Sequence, residues 1–94
     1  MALVTSFVLI NSEPGRTAAL AEELAGLDSV GEVYSVAGDY DLVAVVRVRH
    51  HDDLADVVTH DIARLEGIRS TKTLVAFRAY SRRDLEAMWS IGVE

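Results

Sequence analysis

The stretch VYSVAGDYDLVAVVRV (residues 33–48) contains two apolar runs joined by the turn Gly38-Asp39-Tyr40-Asp41. Both runs are rich in valine, and the second alternates two apolar sets, which is typical of β-strands. Glycine and aspartate favour a turn, because glycine adopts positive φ and an aspartate side chain bonds to nearby backbone groups. The stretch therefore predicts a β-hairpin, around which the other elements are arranged.

Turn chemistry explains Gly38 and Asp39, but it does not explain why Tyr40 stands beside Asp41. Tyr40 offers an apolar wall and a hydroxyl group, and Asp41 offers a fixed negative charge suited to the ammonium group of a small zwitterion. Backbone N–H groups around a glycine can bind the carboxylate of the same molecule. We interpret the turn as a candidate binding site for an amino acid, with a plain hairpin tip as the alternative.

Amphipathic helical patterns flank the hairpin on both sides. Before it, Leu20 and Leu24 recur at helical spacing, and Ser12 is the predicted N-cap. After it, residues 50–67 change to a helical period that ends at Gly67. The apolar stripe of this second helix comprises Leu54, Val57, Val58, Ile62 and Leu65.

The remaining segments complete the order of elements. Residues 3–10 and 68–80 have strand composition, so the chain reads β-α-β-β-α-β. This order indicates an α+β, ferredoxin-like fold, in which two helices lie on one face of an antiparallel sheet. We predict that residues 1–80 form this domain and that residues 81–94 form a short C-terminal helical tail with Ser81 as its N-cap.

The predicted strands are apolar on both faces. In the first strand, Phe7 and Leu9 alternate with other apolar residues. In the third strand, Val43 and Val45 do the same. Two helices can cover only one face of a sheet, and soluble monomers seldom expose a large apolar patch. The sequence therefore predicts a homo-oligomer that is at least a dimer and packs through the uncovered face.

Composition narrows the possible partners. The 94-residue chain carries a formal net charge of −6 and no cluster of lysine and arginine, which argues against direct DNA binding. The absence of cysteine fits a reducing cytoplasm. The apolar N-terminal segment is too short to span a membrane and lacks the features of a signal peptide. We expect a cytoplasmic protein with no membrane partner.

Catalytic and metal sites find little support in the sequence. His50 and His51 lie near Asp52, but helical geometry directs His60 to a different side, so the histidines do not converge on a metal. No glycine-rich phosphate loop is present, and no serine stands at a spacing that brings a histidine and an acid to it. We predict no catalytic residue, no metal and no cofactor, and therefore no enzyme.

Two motifs together resemble a known family. VAGDYDLVAVV (residues 36–46) contains G-x-Y-D, and LEGIRSTKTLVAF (residues 65–77) contains L-x-G-I-x-x-T-x-T. Their order and spacing resemble the effector-binding domain of the Lrp/AsnC family of transcriptional regulators, also called the RAM domain. The resemblance covers nearly the whole chain. The family's usual helix-turn-helix lies N-terminal to this domain, whereas here the first predicted strand begins within a few residues of Met1. The chain therefore resembles a stand-alone form.

The resemblance implies a ferredoxin-like domain that dimerises through its sheets and joins dimers into a ring such as an octamer. It also implies an amino-acid ligand near the G-x-Y-D turn and possible association with full-length Lrp/AsnC regulators. The candidate ligand-binding residues are Gly38, Asp39, Tyr40, Asp41, Thr71 and Thr73. We expect the two motifs to come from different chains, and we expect removal of the Asp41 side chain to affect binding far more than folding.

Two alternatives remain open at this point. One is a small enzyme of the dimeric α/β-barrel type, such as a cofactor-independent monooxygenase or isomerase, which would need polar groups converging in a cleft between helices and sheet. The other is a purely structural assembly module whose turn binds nothing.

Overall fold

The computed structural model describes residues 3–80 and residue 82. The elements are, in chain order, β1 (Val4–Ser12), α1 (Thr17–Ala25), β2 (Val30–Ser35), β3 (Leu42–Val48), α2 (His51–Asp56), a π-helix that continues α2 (Val57–Ile62), and β4 (Ile68–Val75). The strands form one sheet in the order β2-β3-β1-β4, and every neighbouring pair is antiparallel. This confirms the predicted ferredoxin-like fold. Apart from residue 82, the predicted C-terminal helical tail (residues 81–94) lies outside the described residues.

The core lies between the sheet and the helices. Facing residues of an antiparallel pair share a side of the sheet, so the register assigns each side chain to a face. Val8 faces Ala44 on β3 and Thr73 on β4. The strand residues of this helix-side face that are fully buried are Ser6, Val8, Ile10, Leu42, Ala44 and Val46. Leu20 and Leu24 of α1 and Ile62 of the π-helix cover them and are also fully buried.

The second helical segment changes its winding after Asp56. The sequence predicts one amphipathic helix, and its stripe residues Leu54, Val57 and Ile62 are indeed buried. Residues 57–62, however, form a π-helix. The Thr59 hydroxyl donates a hydrogen bond of 2.6 Å to the Ala55 carbonyl oxygen at the start of this stretch. A side chain that bonds a backbone carbonyl in this way disturbs the regular helical ladder.

Element boundaries near the first turn differ from the prediction. Strand β1 continues through Ser12, and the N-cap of α1 is Arg16, which makes no side-chain capping hydrogen bond. Ser12 is therefore not the N-cap. Between them, Gly15 adopts a φ of 81°, which places a turn where the sequence predicts helix. Strand β4 likewise ends at Val75 and does not reach Tyr80.

The opposite side of the sheet is apolar, and no helix or strand within residues 3–80 covers it. Its register places Phe7 beside Leu74, and Leu9 beside Val43. We call the surface formed by Phe7, Leu9, Tyr34, Val43 and Leu74 the open face. Phe7 is 38% exposed, Leu74 45% and Tyr34 53%. The predicted pattern of strands that are apolar on both sides is therefore present in the structure.

Across residues 3–80, no helix has the length and apolar content that crossing a bilayer requires.

Candidate functional site

The G-x-Y-D turn is a six-residue loop, residues 36–41, because β2 ends at Ser35 and β3 begins at Leu42. It is longer than the tight hairpin turn that the sequence suggests. Gly38 adopts a φ of 122°, a region that side chains other than glycine rarely occupy. The Val36 N–H donates a 3.0 Å hydrogen bond to the Asp41 carbonyl oxygen and closes the loop. The loop therefore has a defined backbone shape.

Asp41 is fastened to the end of β1. Its backbone N–H donates to the Ile10 carbonyl oxygen at 3.0 Å. One carboxylate oxygen, Oδ2, accepts hydrogen bonds from the Ser12 backbone N–H at 2.8 Å and from the Ser12 hydroxyl at 3.2 Å. The other oxygen, Oδ1, has no hydrogen-bond partner within residues 3–80. The carboxylate is thus held in one orientation with half of its accepting capacity unused.

These contacts correct the expectation that Asp41 matters little for folding. Asp41 is half-buried, and Ser12, whose two donors it accepts, is only 6% exposed. Without Asp41, a backbone N–H and a hydroxyl at a buried position would lose their partner, and that loss costs free energy of folding. The side chain therefore has a structural role beside any role in binding.

The other residues of the loop present different surfaces. Gly38 and Asp39 are exposed, whereas Tyr40 is half-buried beside Asp41 in sequence. Gly38 has open space around the position that a Cβ atom would occupy. The loop thus combines an accessible backbone, an aromatic side chain and a held carboxylate, which are the groups that the sequence analysis assigned to ligand binding.

Gly67, the glycine of the L-x-G-I-x-x-T-x-T motif, has a structural role. Gly67 has a φ of 96°, and a Cβ atom there would lie 2.9 Å from Cβ of Arg16. The Glu13 N–H donates a 2.6 Å hydrogen bond to the Gly67 carbonyl oxygen, and the Arg16 guanidinium donates to the Glu66 carbonyl oxygen at 3.2 Å. Gly67 therefore does more than end a helix, because it lets the start of β4 pack against the turn before α1.

Thr71 and Thr73 lie on the helix-side face of β4, where they face Ile10 and Val8 of β1. Thr71 is exposed and Thr73 is half-buried. The first residue of β3, Leu42, also faces Ile10, from the other side of β1. Two strand spacings, about 9–10 Å, therefore separate Thr71 from Leu42 at the end of the G-x-Y-D loop. Thr73, which is level with Ala44, lies further from the loop.

This arrangement corrects one expectation. Both motifs lie at the same end of the sheet within a single chain, on opposite sides of β1. The expectation that only neighbouring chains could bring them to one end is wrong, because the antiparallel β1 places the starts of β3 and β4 at its own C-terminal end. Within one chain, no hydrogen bond joins Thr71 or Thr73 to Asp41 among the described residues.

Sequence reasoning missed two residues that contact the candidate site. The Ser12 and Thr17 hydroxyl oxygens lie 2.6 Å apart, and Ser12 contacts the Asp41 carboxylate. The sequence predicts Ser12 as a helix N-cap and indicates no role for Thr17. The sequence does place Ser12 and Thr17 on either side of a Pro-Gly turn, which predicts that they lie close to each other. It gives no signal that Ser12 contacts Asp41, 29 positions later.

A concavity of about 400 Å³ lies at the other end of the sheet, where β1 begins and β3 finishes. It is lined by Asp28, Ser29, Arg47, Val48, Arg49, Asp53, Asp56 and Val57. Its charged side chains are all exposed, and the Arg47 guanidinium is paired with Glu32 at 2.8 Å. The described part of the chain contains no cluster of histidine, aspartate and glutamate that could hold a metal ion.

Comparison with known proteins identifies the family. The sequence model of the Lrp/AsnC ligand-binding domain matches residues 5–85. An uncharacterised HTH-type transcriptional regulator of Pyrococcus abyssi is 33% identical over 72 residues, which are 77% of this chain and 46% of that protein. A similar regulator of Pyrococcus furiosus is 34% identical over 76 residues, 78% of this chain and 51% of that protein. The chain thus spans about half the length of these relatives.

Solved structures agree with this result. TTHA0845 from Thermus thermophilus has a TM-score of 0.79 and 54% identity, and the match covers 84% of this chain and 99% of that one. AsnC of Escherichia coli also has a TM-score of 0.79, with 28% identity over 85% of this chain and 54% of that one. The fold, the two motifs and the match over residues 5–85 lead to one conclusion: this chain belongs to the Lrp/AsnC ligand-binding domain family.

Proposed function

We propose that this chain is a non-enzymatic, amino-acid-binding regulatory domain that works as a homo-oligomer. The observation that carries the proposal is the Asp41 carboxylate, which is held by Ser12 through Oδ2 and keeps Oδ1 available. A fixed, partly buried carboxylate can bind an ammonium group without first losing conformational entropy of its own. This supports Asp41 as the partner of the ammonium group of an amino acid.

The loop supplies the remaining contacts in this proposal. The backbone N–H groups of residues 37–40 make no hydrogen bond within the described part of the chain, so they can bind a carboxylate. Half-buried Tyr40 provides an aromatic wall, and exposed Asp39 lies on the rim. Thr71 and Thr73 are proposed hydroxyl donors from β4. Because they lie across β1 from the loop, they would serve either a ligand that reaches around the end of β1 or one bound by a neighbouring chain.

Association through the open face is the second part of the proposal. Phe7, Tyr34 and Leu74 remain 38%, 53% and 45% exposed in the single chain. A second copy that packs its own open face against them would bury this surface symmetrically, as closed homodimers do. Arg47 and Glu32, which pair near the edge of the sheet, would lie toward the rim, where charges remain hydrated.

Regulation would then pass through a partner. The net charge of −6 makes sequence-specific DNA binding by this domain alone unfavourable. The named relatives are HTH-type transcriptional regulators about twice as long as the matched region. We propose that the domain acts by associating with DNA-binding members of its family. Nothing in the comparisons supports the enzyme alternative.

A thermal-shift screen of the twenty standard L-amino acids tests the binding proposal. At a hundred times its dissociation constant, a ligand specific for the folded state adds about 2.7 kcal/mol to stability. We expect at least one amino acid to raise the melting temperature, and we expect the corresponding carboxylic acid without an ammonium group to have a much smaller effect. Absence of any shift across the whole panel at millimolar concentration would contradict the proposal.

Light scattering tests the association proposal. We expect a molar mass of at least twice the chain mass of 10.3 kDa at micromolar concentration. Replacing Phe7 with Glu should dissociate the oligomer, because it buries a charge in the open face. Ala18→Glu, at an exposed position of α1 on the other side of the sheet, is the matched control and should leave the mass unchanged. A monomeric wild-type protein, or an unchanged Phe7→Glu oligomer, would contradict the assignment of the open face.

A further inference from the structure

The hydroxyl groups of Ser12 and Thr17 form a chain of contacts that ends on the Asp41 carboxylate. The Thr17 and Ser12 oxygens are 2.6 Å apart, and the Ser12 oxygen is 3.2 Å from Asp41 Oδ2. These residues come from three elements: the end of β1, the first position of α1 and the residue before β3. Ser12 is 6% exposed and Thr17 is half-buried, so water competes weakly for these contacts.

The chemistry of the hydroxyl group sets the direction of the chain. An ionised carboxylate only accepts, and a serine hydroxyl has a single hydrogen to donate. Because Ser12 donates that hydrogen to Asp41, the hydroxyl hydrogen of the short contact between Ser12 and Thr17 must come from Thr17. Thr17 therefore donates to Ser12, and Ser12 donates to Asp41. Consecutive hydrogen bonds of this kind polarise and strengthen one another.

Helix capping does not account for these hydroxyls. The N-cap of α1 is Arg16, and it makes no side-chain capping hydrogen bond. Thr17 bonds with Ser12 across the Pro-Gly turn. Ser12 bonds with the carboxylate 29 positions later in the chain. Both hydroxyls are thus directed toward Asp41 and away from the backbone N–H groups that start the helix.

We propose that Ser12 and Thr17 are positioning residues that fix the Asp41 carboxylate so that Oδ1 meets the ammonium group of the ligand. This inference rests on the proposed function and assigns the residues that organise its site. Ser12 acts on Asp41 directly, and Thr17 acts through Ser12. Neither side chain needs to touch the ligand, because Ser12 bonds to Oδ2 and Thr17 bonds to Ser12.

Four variants separate positioning from general stabilisation. Ser12→Ala removes the hydroxyl that contacts Asp41 but keeps the backbone N–H contact. Thr17→Val removes the hydroxyl at nearly constant side-chain volume. Thr17→Ser keeps the hydroxyl and removes only the methyl group. Thr59→Val is the matched control, because it removes a hydroxyl that bonds the Ala55 carbonyl oxygen, outside the Asp41 network.

The first readout is affinity, measured by calorimetry for the amino acid that gives the largest thermal shift in the panel of twenty. The carboxylic acid that lacks only its ammonium group is titrated in parallel. We expect Ser12→Ala to weaken binding of the amino acid about tenfold and Thr17→Val about threefold, with little change for the deaminated acid. Thr17→Ser and Thr59→Val should bind as the wild type does. Equal weakening of both compounds would show a structural role only and would overturn the inference.

The second readout needs no ligand. Exchange of the Ser12 amide hydrogen reports its bond to Asp41 Oδ2, so Thr17→Val should accelerate this exchange about threefold, whereas Thr17→Ser should not. If no amino acid binds the wild type, the proposed function fails, and this exchange still decides whether Thr17 holds Asp41. An unchanged exchange rate in Thr17→Val would overturn the inference whatever the binding result.

Discussion

The two ends of the sheet both carry charged side chains, but they organise them differently. At the end where β1 finishes, the Asp41 carboxylate accepts two hydrogen bonds from Ser12 and is half-buried. At the far end, Asp28, Asp53 and Asp56 line a concavity of about 400 Å³ and are exposed. Across residues 3–80, no hydrogen bond or ion pair engages these three side chains.

This difference shows that an inventory of residues does not locate a site. The far end has more charge and a clear concavity, yet its carboxylates are exposed and have no hydrogen-bond partner within residues 3–80, and a single ion pair contributes little in water. The end where β1 finishes, which we call the near end, has one carboxylate, Asp41, whose orientation is fixed by its bonds to Ser12. A group that is already ordered and partly desolvated binds an opposite charge more strongly. For this reason the proposed binding site is the end of the sheet where β1 finishes.

The largest expected effect on stability comes from removing Asp41. Asp41→Ala leaves the Ser12 N–H and hydroxyl without their acceptor, and we expect the free energy of unfolding to fall by about 2–3 kcal/mol. Asp28→Ala at the far end removes an exposed carboxylate and should change stability by less than about 0.5 kcal/mol. Chemical denaturation of both variants checks the contrast, and equal losses would contradict it.

Replacing two glycines, one at each end of the sheet, should give a smaller difference in stability than replacing the two aspartates. Gly67 at the near end has a φ of 96° and contacts Arg16, so Gly67→Ala should lower stability by about 1–2 kcal/mol. Gly26 at the far end has a φ of −81°, and its Cβ atom would meet only ordinary contacts. Gly26→Ala should be neutral or stabilise by up to about 1 kcal/mol. Thermal unfolding measures both variants, and Gly67→Ala should melt at a lower temperature than Gly26→Ala. The reverse order would contradict this prediction.

The smallest expected effect concerns the ion pair between Arg47 and Glu32. The two side chains are 43% and 38% exposed and 2.8 Å apart. Solvent screens such a pair, so Glu32→Gln should cost no more than about 1 kcal/mol in the single chain. The loss should shrink further in 1 M salt. A loss well above this, insensitive to salt, would show that the pair is buried in the oligomer.

Most of the fold could be predicted from the sequence because its signals are local. Alternating apolar sets and leucines at helical spacing identify strands and helices, and the order β-α-β-β-α-β limits the topology. The winding of residues 57–62 as a π-helix could not be predicted, since Leu54, Val57 and Ile62 fit an ordinary amphipathic helix as well. The start of α1 was also missed, because Ser12 has the composition of an N-cap but bonds elsewhere.

The candidate site could be predicted only in part. Its location in the G-x-Y-D loop follows from residues that turn chemistry alone does not require. The roles of Ser12, Thr17 and Gly67 depend on contacts between distant parts of the chain, such as Arg16 against Gly67. A single sequence carries no local signal for such contacts. The same limit explains why the relative placement of the two motifs was wrongly expected to need two chains.

Binding calorimetry of wild type, Asp41→Asn and Asp28→Asn tests the central claim most directly. Asparagine at position 41 keeps an oxygen that can accept from Ser12, so the fold is preserved while the negative charge is lost. With the amino acid that stabilises the wild type most, Asp41→Asn should lose about 2–5 kcal/mol of binding free energy. Asp28→Asn should bind as the wild type does. Equal affinities of the wild type and Asp41→Asn would contradict the account, because the ammonium group would then be bound elsewhere.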